Sequence, residues 1–296
     1  MKGYIKLRVA KWEDYELLDT SAGERLERWG NVILIRPDPQ IIWNTPKKNP
    51  LWKKANAVYH RSKTGGGYWE KLRETPDVWS INYKNLKFNL KMMGFKHTGV
   101  FPEQAVNWDF VSNKISKTQK NLKILNLFAY TGAATLSAAA SGAEVCHVDA
   151  SRGMVSWAKD NAVSSNLKDK PIRWLVDDCI KFVEREKRRG HKYHGIIMDP
   201  PSYGRGPGGE VFKLEEKLFS LVNLCCDVLS DDAEFFILNS YTTGLSPSVM
   251  EYLLGTTIKS KFGGFVSSSE IGLPVTSHKS VLPCGSTAIW EAYKSI

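Results

Sequence analysis

One stretch restricts the fold more than any other. It is an apolar run from Lys123 to Phe128, a tight turn Ala129-Tyr130-Thr131-Gly132, a small-residue run from Ala133 to Ala143, and a second apolar run, Glu144 to Asp149, closed by an acid. The apolar runs have strand length, and the small-residue segment between them predicts a helix. Strand, helix and strand in that order form a unit whose two strands lie parallel. In open α/β sheets ligands bind beyond the carboxyl ends of strands, where the turn and Asp149 fall. Gly132 gives the turn a position at which backbone can approach a ligand closely. Residues 124–143 carry no charge and match a membrane span in length. Asn126, Tyr130, Thr131, Thr135 and Ser137 interrupt them, so a membrane span is rejected.

Two further strand ends repeat the pattern. Ile172 to Val176 runs into Asp177-Asp178, and Gly195 to Met198 into Asp199-Pro200-Pro201-Ser202-Tyr203. Proline fixes φ and lacks an N–H, so two in succession end a strand abruptly and leave a stiff loop. That loop offers a carboxylate, carbonyls and, two residues on, an aromatic ring. Acceptors beside a stacking face suit a planar ligand bearing an amino group, such as a nucleobase. Asp149 is placed to take the two hydroxyls of a ribose, and Asp177 or Asp178 to accept from an adenine amino group.

The turn excludes the commoner nucleotides. A dinucleotide site needs G-x-G-x-x-G so that pyrophosphate can rest on the helix N-terminus. Here Ala133, Ala134 and Thr135 follow Gly132, and a phosphate-cradling loop with lysine is absent. A nucleoside cofactor without phosphates, S-adenosylmethionine, fits better.

The run from Lys123 to about Asn239 resembles a class I S-adenosylmethionine-dependent methyltransferase. It is similar in particular to the bacterial large-subunit ribosomal RNA methyltransferases that act on cytosine C5 or guanine N7. The stretches that carry the resemblance are LNLFAYTG, HVDASRGMVSWAKDNA, DDCIKFV and IIMDPPSYGRG, with MMGFKHTGVFPEQAVNW at residues 92–108 resembling the family's cofactor-facing loop. The resemblance implies a Rossmann-like, seven-stranded mixed α/β sheet with helices on both faces. It implies cofactor contacts from Phe101, Gln104, Phe128, Ala129, Tyr130, Thr131, Gly132, Asp149, Ala150, Ser151, Asp177, Asp178, Cys179 and Asp199. It also places Asp199, Pro200, Pro201 and Tyr203 at the reaction; Arg205, Asn239 and Tyr241 are read from the residues themselves as facing substrate. Relatives often read Asp-Gln-Arg where this chain has Glu103-Gln104-Ala105, so the arginine is missing.

Methylation of cytosine C5 requires a cysteine thiolate to add to the ring first. The C5-modifying relatives carry it just after the fifth strand, where this chain reads Asn239 to Gly244 without a cysteine. Nitrogen needs no such help, and DPP followed by an aromatic resembles nitrogen-directed enzymes. The glycine-rich segment Gly204 to Gly209, carrying Arg205, reads as a lid over substrate.

Charge divides the chain. Residues 1–120 hold 22 Lys and Arg against 12 Asp and Glu, whereas residues 121–296 hold 19 of each. The whole excess of +10 lies in the first part, with seven of the ten tryptophans. Within it Lys47, Lys48, Lys53, Lys54, Arg61, Lys63, Lys71 and Arg73 interleave with Trp52, Tyr59, Tyr68 and Trp69, around a Gly65-Gly66-Gly67 loop. Cations beside rings suit folded RNA with unstacked bases; a solvated basic face over a small β core explains them as well. Alternating apolar patterns at Tyr4 to Val9, Leu26 to Arg36 and Val78 to Leu90 make residues 1–115 a smaller β-rich domain. The polar stretch Ser112 to Asn121 marks the boundary, and residues 116–296 form the methyltransferase domain.

The remaining composition sets the cellular expectations. No apolar leader opens the chain, and five scattered cysteines lack metal-ligand or disulfide spacing. The reading is a cytoplasmic protein with no metal and RNA, ribosomal in particular, as partner. Two alternatives stay open: a methyltransferase of a protein or small molecule, and a noncatalytic RNA-binding module that retains the cofactor.

Overall fold

The computed structural model of the chain describes residues 6–62, 66–206, 208–209 and 211–293. Tyr4, Lys63, Gly65 and Pro207, which entered the sequence reading, lie outside them. The chain forms two compact units: Val9–Glu103 with Gly272–Cys284, and Gln104–Ile271 with the residues before Val9 and from Gly285 onward. The division therefore falls ahead of residues 112–121, and a late segment of the chain joins the first unit.

The first unit is built of hairpins. Its strands are β1 (Lys6–Val9, whose last residue counts here), β2 (Tyr15–Ser21), β3 (Glu24–Trp29), β4 (Val32–Pro37), β5 (Ala57–Arg61), β6 (Gly67–Lys71), β7 (Trp79–Tyr83) and β8 (Leu86–Leu90). β2 to β6 lie side by side in sequence order, and β7 and β8 form a separate pair. The apolar pattern from Leu26 to Arg36 spans two strands that part at Gly30, where φ is +62° and the chain reverses from β3 into β4. β2 escaped sequence reading because its buried positions include Asp19, Thr20 and Ser21. Asp19 is satisfied there by the Trp52 indole N–H at 2.8 Å and the Ser277 hydroxyl at 2.7 Å.

A charged cluster lies inside this unit. Glu27 is fully buried, and its carboxylate accepts two hydrogen bonds from the Arg36 guanidinium, at 2.6 and 2.7 Å, and one from the Tyr15 hydroxyl at 2.8 Å. Burial opposes its ionisation, but Arg36, with Arg25 and the Tyr15 hydroxyl, outweighs burial and holds the carboxyl below its ordinary pKa. Arg25 pairs with Asp38 beside it.

The second unit is the expected α/β sheet. Its strands are β9 (Lys123–Leu127), β10 (Glu144–Asp149), β11 (Ile172–Val176), β12 (Gly195–Met198), β15 (Phe235–Ser240), β16 (Phe265–Val275) and β17 (Ser280–Glu291), with a small pair β13 (Tyr203–Arg205) and β14 (Val211–Lys213) apart. The order across the sheet is β11-β10-β9-β12-β15-β17-β16. β9 to β12 and β15 run parallel, while β17 is antiparallel to β15. Residues from Gly272 in β16 and up to Cys284 in β17 count with the first unit.

Two-residue periodicity sorts the strands between two cores. Ile124, Val145, Ile197, Phe235 and Ile237 pack on one face against Val111, Ile115, Ala138 and Ala139, from α1 (Ala105–Ser116) and α2 (Ala133–Ala140). Leu125, Leu127, Ile196, Met198, Phe236 and Leu238 pack on the other. There they meet Phe182 of α4 (Cys179–Arg189), Leu221 of α5 (Leu214–Cys226) and Met250 of α6 (Pro247–Leu254). α3 (Arg152–Ser164) follows β10, and Ser151 caps it, its hydroxyl accepting from the Met154 amide at 3.4 Å. Among the described residues no helix is long and apolar enough to cross a membrane.

Candidate active site

The carboxyl ends of β9, β10 and β11 bring one group of expected residues together. After β9 the chain adopts left-handed backbone three times in five residues, at Phe128 (φ +55°), Tyr130 (+50°) and Gly132 (+85°). Non-glycine residues occupy that region only where the surroundings over-determine it. Here the restraint is Asp149, whose carboxylate accepts from the Tyr130 amide and the Ser151 amide, both at 2.8 Å. The Ala129 amide donates to the Val148 carbonyl at 3.1 Å, and the Phe128 amide to the Cys179 sulfur at 3.3 Å. Burial pushes the Asp149 pKa up against those two amides. Each of its oxygens uses one lone pair on an amide, which leaves acceptor capacity on both for hydroxyl donors.

The two acids after β11 are engaged otherwise. Asp178 caps α4, accepting from the Lys181 amide at 2.9 Å, and Asp177 pairs with Arg185. The Asp177 amide donates to the Asp149 carbonyl at 3.0 Å, which ties this strand end to its neighbour.

A buried polar group underlies the turn and went unread in the sequence. The Asn126 side-chain amide donates to the Thr135 hydroxyl oxygen at 2.9 Å, and the same hydroxyl is hydrogen-bonded to Nδ1 of His147, also at 2.9 Å. Burial pulls its pKa down to about 3 and keeps the ring neutral. His147 Nε2 has no hydrogen-bond partner among the described residues, and Cε1 of the ring lies 3.6 Å from the point where a Cβ at position 132 would stand.

The second expected group meets at the end of β12. Asp199 follows Met198, which pairs with Leu127 on one side and Leu238 on the other. Its Oδ2 accepts from the Gln104 side-chain amide at 3.0 Å and its Oδ1 from the Asn239 side-chain amide at 3.0 Å. Gln104 also donates to the Tyr241 hydroxyl oxygen at 3.1 Å. Gln104, Asp199, Asn239 and Tyr241, far apart in sequence, thus form one hydrogen-bonded cluster. Pro200 is buried and Pro201 exposed. Tyr203 is 54% exposed and Arg205 is exposed, both on β13, and neither joins the cluster. Tyr203–Arg205, at the start of the segment expected as a lid, pairs antiparallel with Val211–Lys213. Phe101 counts with the first unit, its ring centroid 5.1 Å from that of His97.

Other features of the sequence resolve into structure. Of the rings interleaved with the basic residues, Trp52 and Tyr59 are core residues, and Tyr68 is exposed. Lys47 pairs with Glu24 at 2.5 Å and Lys71 with Asp77 at 2.8 Å. The five cysteines are free and buried. Burial raises the pKa of each, to about 11 for Cys146 and Cys226. No group of metal-ligating side chains occurs among the described residues. A cavity of about 470 Å³ lies at the amino ends of the strands, lined by Lys123, Cys146, Arg173 and Tyr193 among others. Its buried Glu186 is already met by the Tyr193 hydroxyl at 2.6 Å and His191 at 2.8 Å. The expected site residues lie at the opposite ends of the strands.

Fold and site together define a nucleoside-cofactor enzyme of the methyltransferase class. Residues 53–223 match the family model of S-adenosylmethionine-dependent methyltransferases. The crystal structure of the S-adenosylmethionine-dependent methyltransferase from Agrobacterium tumefaciens is 35% identical. It superimposes with a TM-score of 0.92, covering 97% of this chain and 93% of that one. This chain belongs to the S-adenosylmethionine-dependent methyltransferase family. SMU.776, solved in complex with SAH, shares the fold at 18% identity, with a TM-score of 0.72 over 95% of this chain and 76% of that one. Among curated proteins, the chain is 29% identical over 178 residues to the ribosomal RNA large subunit methyltransferase K/L of Shewanella oneidensis, covering 60% of this chain and 24% of that protein. The Colwellia psychrerythraea protein of the same name is 25% identical over 227 residues, 75% of this chain and 29% of that one. The chain thus spans about a quarter of the length of these relatives.

Proposed function

We propose that this chain methylates a base of ribosomal RNA at a ring or exocyclic nitrogen. The observation that carries the reading is the Asp199 carboxylate, presented at the end of β12 with one side-chain amide on each oxygen. A carboxylate so held accepts from an N–H of a base and turns the nitrogen toward a methyl donor. S-adenosylmethionine, when bound, supplies a methyl group already activated on a sulfonium. Asp149 takes its ribose hydroxyls, with Gln104, Phe128 to Gly132, Ala150, Ser151, Asp177, Asp178 and Cys179 around the rest of the cofactor. Pro200 and Pro201 stiffen the loop, Tyr203 stacks on an extruded base, and Arg205, Asn239 and Tyr241 face the substrate. RNA as substrate is supported by the names of the curated relatives and by the basic excess before residue 120. A cytoplasmic setting follows from such a substrate. Nitrogen is favoured over carbon because every thiol is buried with a raised pKa, unsuited to attack on a pyrimidine.

The test is methyl transfer from labelled S-adenosylmethionine to total RNA from cells lacking the gene, with Asp199→Ala as control. One methylated nucleoside, carrying its methyl on nitrogen and lost in Asp199→Ala, is the expected result. Label found in protein or small molecules instead of RNA would overturn the substrate class. Label on a base carbon would overturn the target atom.

A further inference from the structure

Two residues beneath the site, Asn107 and Thr287, complete the Asp199 cluster into a closed ring. The Asn107 amide nitrogen donates one hydrogen to Gln104 Oε1 at 2.8 Å and the other to Thr287 Oγ1 at 3.1 Å. The Thr287 hydroxyl donates to Asn239 Oδ1 at 2.5 Å. Gln104 and Asn239 then donate to the two oxygens of Asp199. One amide therefore starts two arms that converge on both oxygens of a single carboxylate.

Chemistry dictates the direction of each bond. A carboxylate only accepts, so Gln104 and Asn239 turn their NH2 groups toward it and their carbonyl oxygens away. The oxygen of Asn239 needs a donor, which must be the Thr287 hydroxyl. That hydroxyl must then accept from the Asn107 amide, and Gln104 Oε1 takes the other Asn107 hydrogen. A flipped amide anywhere would set oxygen against oxygen. The fold prepares the ring: Asn107 lies three residues from Gln104 in the first turns of α1, and β17 pairs Thr287 directly with Asn239 of β15. Asn107 is 3% exposed and Thr287 fully buried, which keeps both clear of bulk solvent.

We propose that Asn107 and Thr287 are positioning residues, which act through Gln104 and Asn239 to present Asp199 as a fixed acceptor for a substrate N–H. The inference rests on the reading of Asp199 as the substrate-facing acceptor. Thr287→Val keeps the shape and removes the hydroxyl. Thr287→Ser restores the hydroxyl, and Asn107→Asp replaces the common donor with an acceptor that competes for the Gln104 amide.

The expected result is a loss of about 10-fold in kcat for Thr287→Val, the size typical of one hydrogen bond feeding a charged group. Its affinity for S-adenosylmethionine, measured by calorimetry, stays within about 2-fold, and Thr287→Ser recovers most of the kcat. Wild-type kcat in folded Thr287→Val would overturn the proposal. So would equal losses of kcat and cofactor affinity that serine does not repair. Hydrogen exchange of the side-chain amides, followed by NMR on full-length 15N-labelled protein, tests the ring without any substrate. Thr287→Val should expose the Asn239 amide, and Asn107→Asp those of both Gln104 and Asn239; unchanged protection overturns the ring. If wild-type protein transfers nothing to RNA, the proposed function fails while the exchange result still decides this one.

Discussion

A methyl group added at position 132 would stand 2.9 Å from the Ala158 Cβ, on backbone whose φ is +85°. Steric overlap and left-handed backbone act together there, so the sequence position is restricted twice. Gly132→Ala is expected to cost about 1–3 kcal/mol in urea denaturation. It should weaken S-adenosylmethionine binding as well, because relieving the overlap moves the turn that Asp149 holds through the Tyr130 amide. A variant with unchanged cofactor affinity would detach this turn from the cofactor site. The polar residues around it divide by what they touch. Asp149 and Asp199 were both legible, since each ends an apolar run. Asn126, Thr135 and His147 were not, because a buried polar side chain in an apolar run announces nothing until its partners are known. Asn107 and Thr287 are 180 positions apart, and only folded topology joins them.

Elements add constraints that single residues conceal. Asp178 serves as the N-cap of α4, and the same carboxylate stands where an adenine amino group is expected. Two substitutions separate the roles. Asp178→Ala should lose about 1 kcal/mol of stability with the cap. Asp178→Asn keeps a capping oxygen, so it should retain stability while lowering cofactor affinity. Thermal melts and calorimetry on the pair decide, and full affinity in Asp178→Asn would leave the residue a cap alone. Legibility also varied by element. The strands from Lys123 to Met198 were plain because apolar runs, glycine and acids alternate there without ambiguity. The N-terminal hairpins were obscured because β2 and β3 bury charged and polar residues, Asp19 and Glu27 among them, where a periodic pattern wants apolar ones. Ala105–Ser116 was unread because the polar residues at its end resemble a linker, although Trp108, Val111 and Ile115 bury one face.

At the scale of the molecule, the two units should answer acid differently. In the methyltransferase unit, His147 is buried and neutral with its pKa drawn down to about 3. The unfolded chain takes up that proton below about pH 6.5, whereas the folded chain does so only near its own lowered value. Stability of this unit should therefore decline as pH falls through that window, by about 1.4 kcal/mol per pH unit for the one proton. In the other unit Glu27 and Asp38 carry pKa values below the ordinary carboxylate range, each despite burial, through Arg36 and Arg25 respectively. Their contribution is present above the unfolded pKa, roughly 4, and lost as pH falls through the lower folded values. Urea denaturation at several pH values, with His147→Gln as reference, checks this. A His147→Gln variant whose acid slope matches the wild type would refute the assignment.

The distribution of sulfur gives the protein a built-in record of its own opening. Four thiols, Cys146, Cys179, Cys225 and Cys226, are buried in the methyltransferase unit, and the fifth, Cys284, in the other. A bulky alkylating reagent has nothing to modify while both units stay closed, so each adduct marks a moment when one of them let solvent in. Mass increments of four and of one then date the two openings separately, in a single native sample that carries no introduced label.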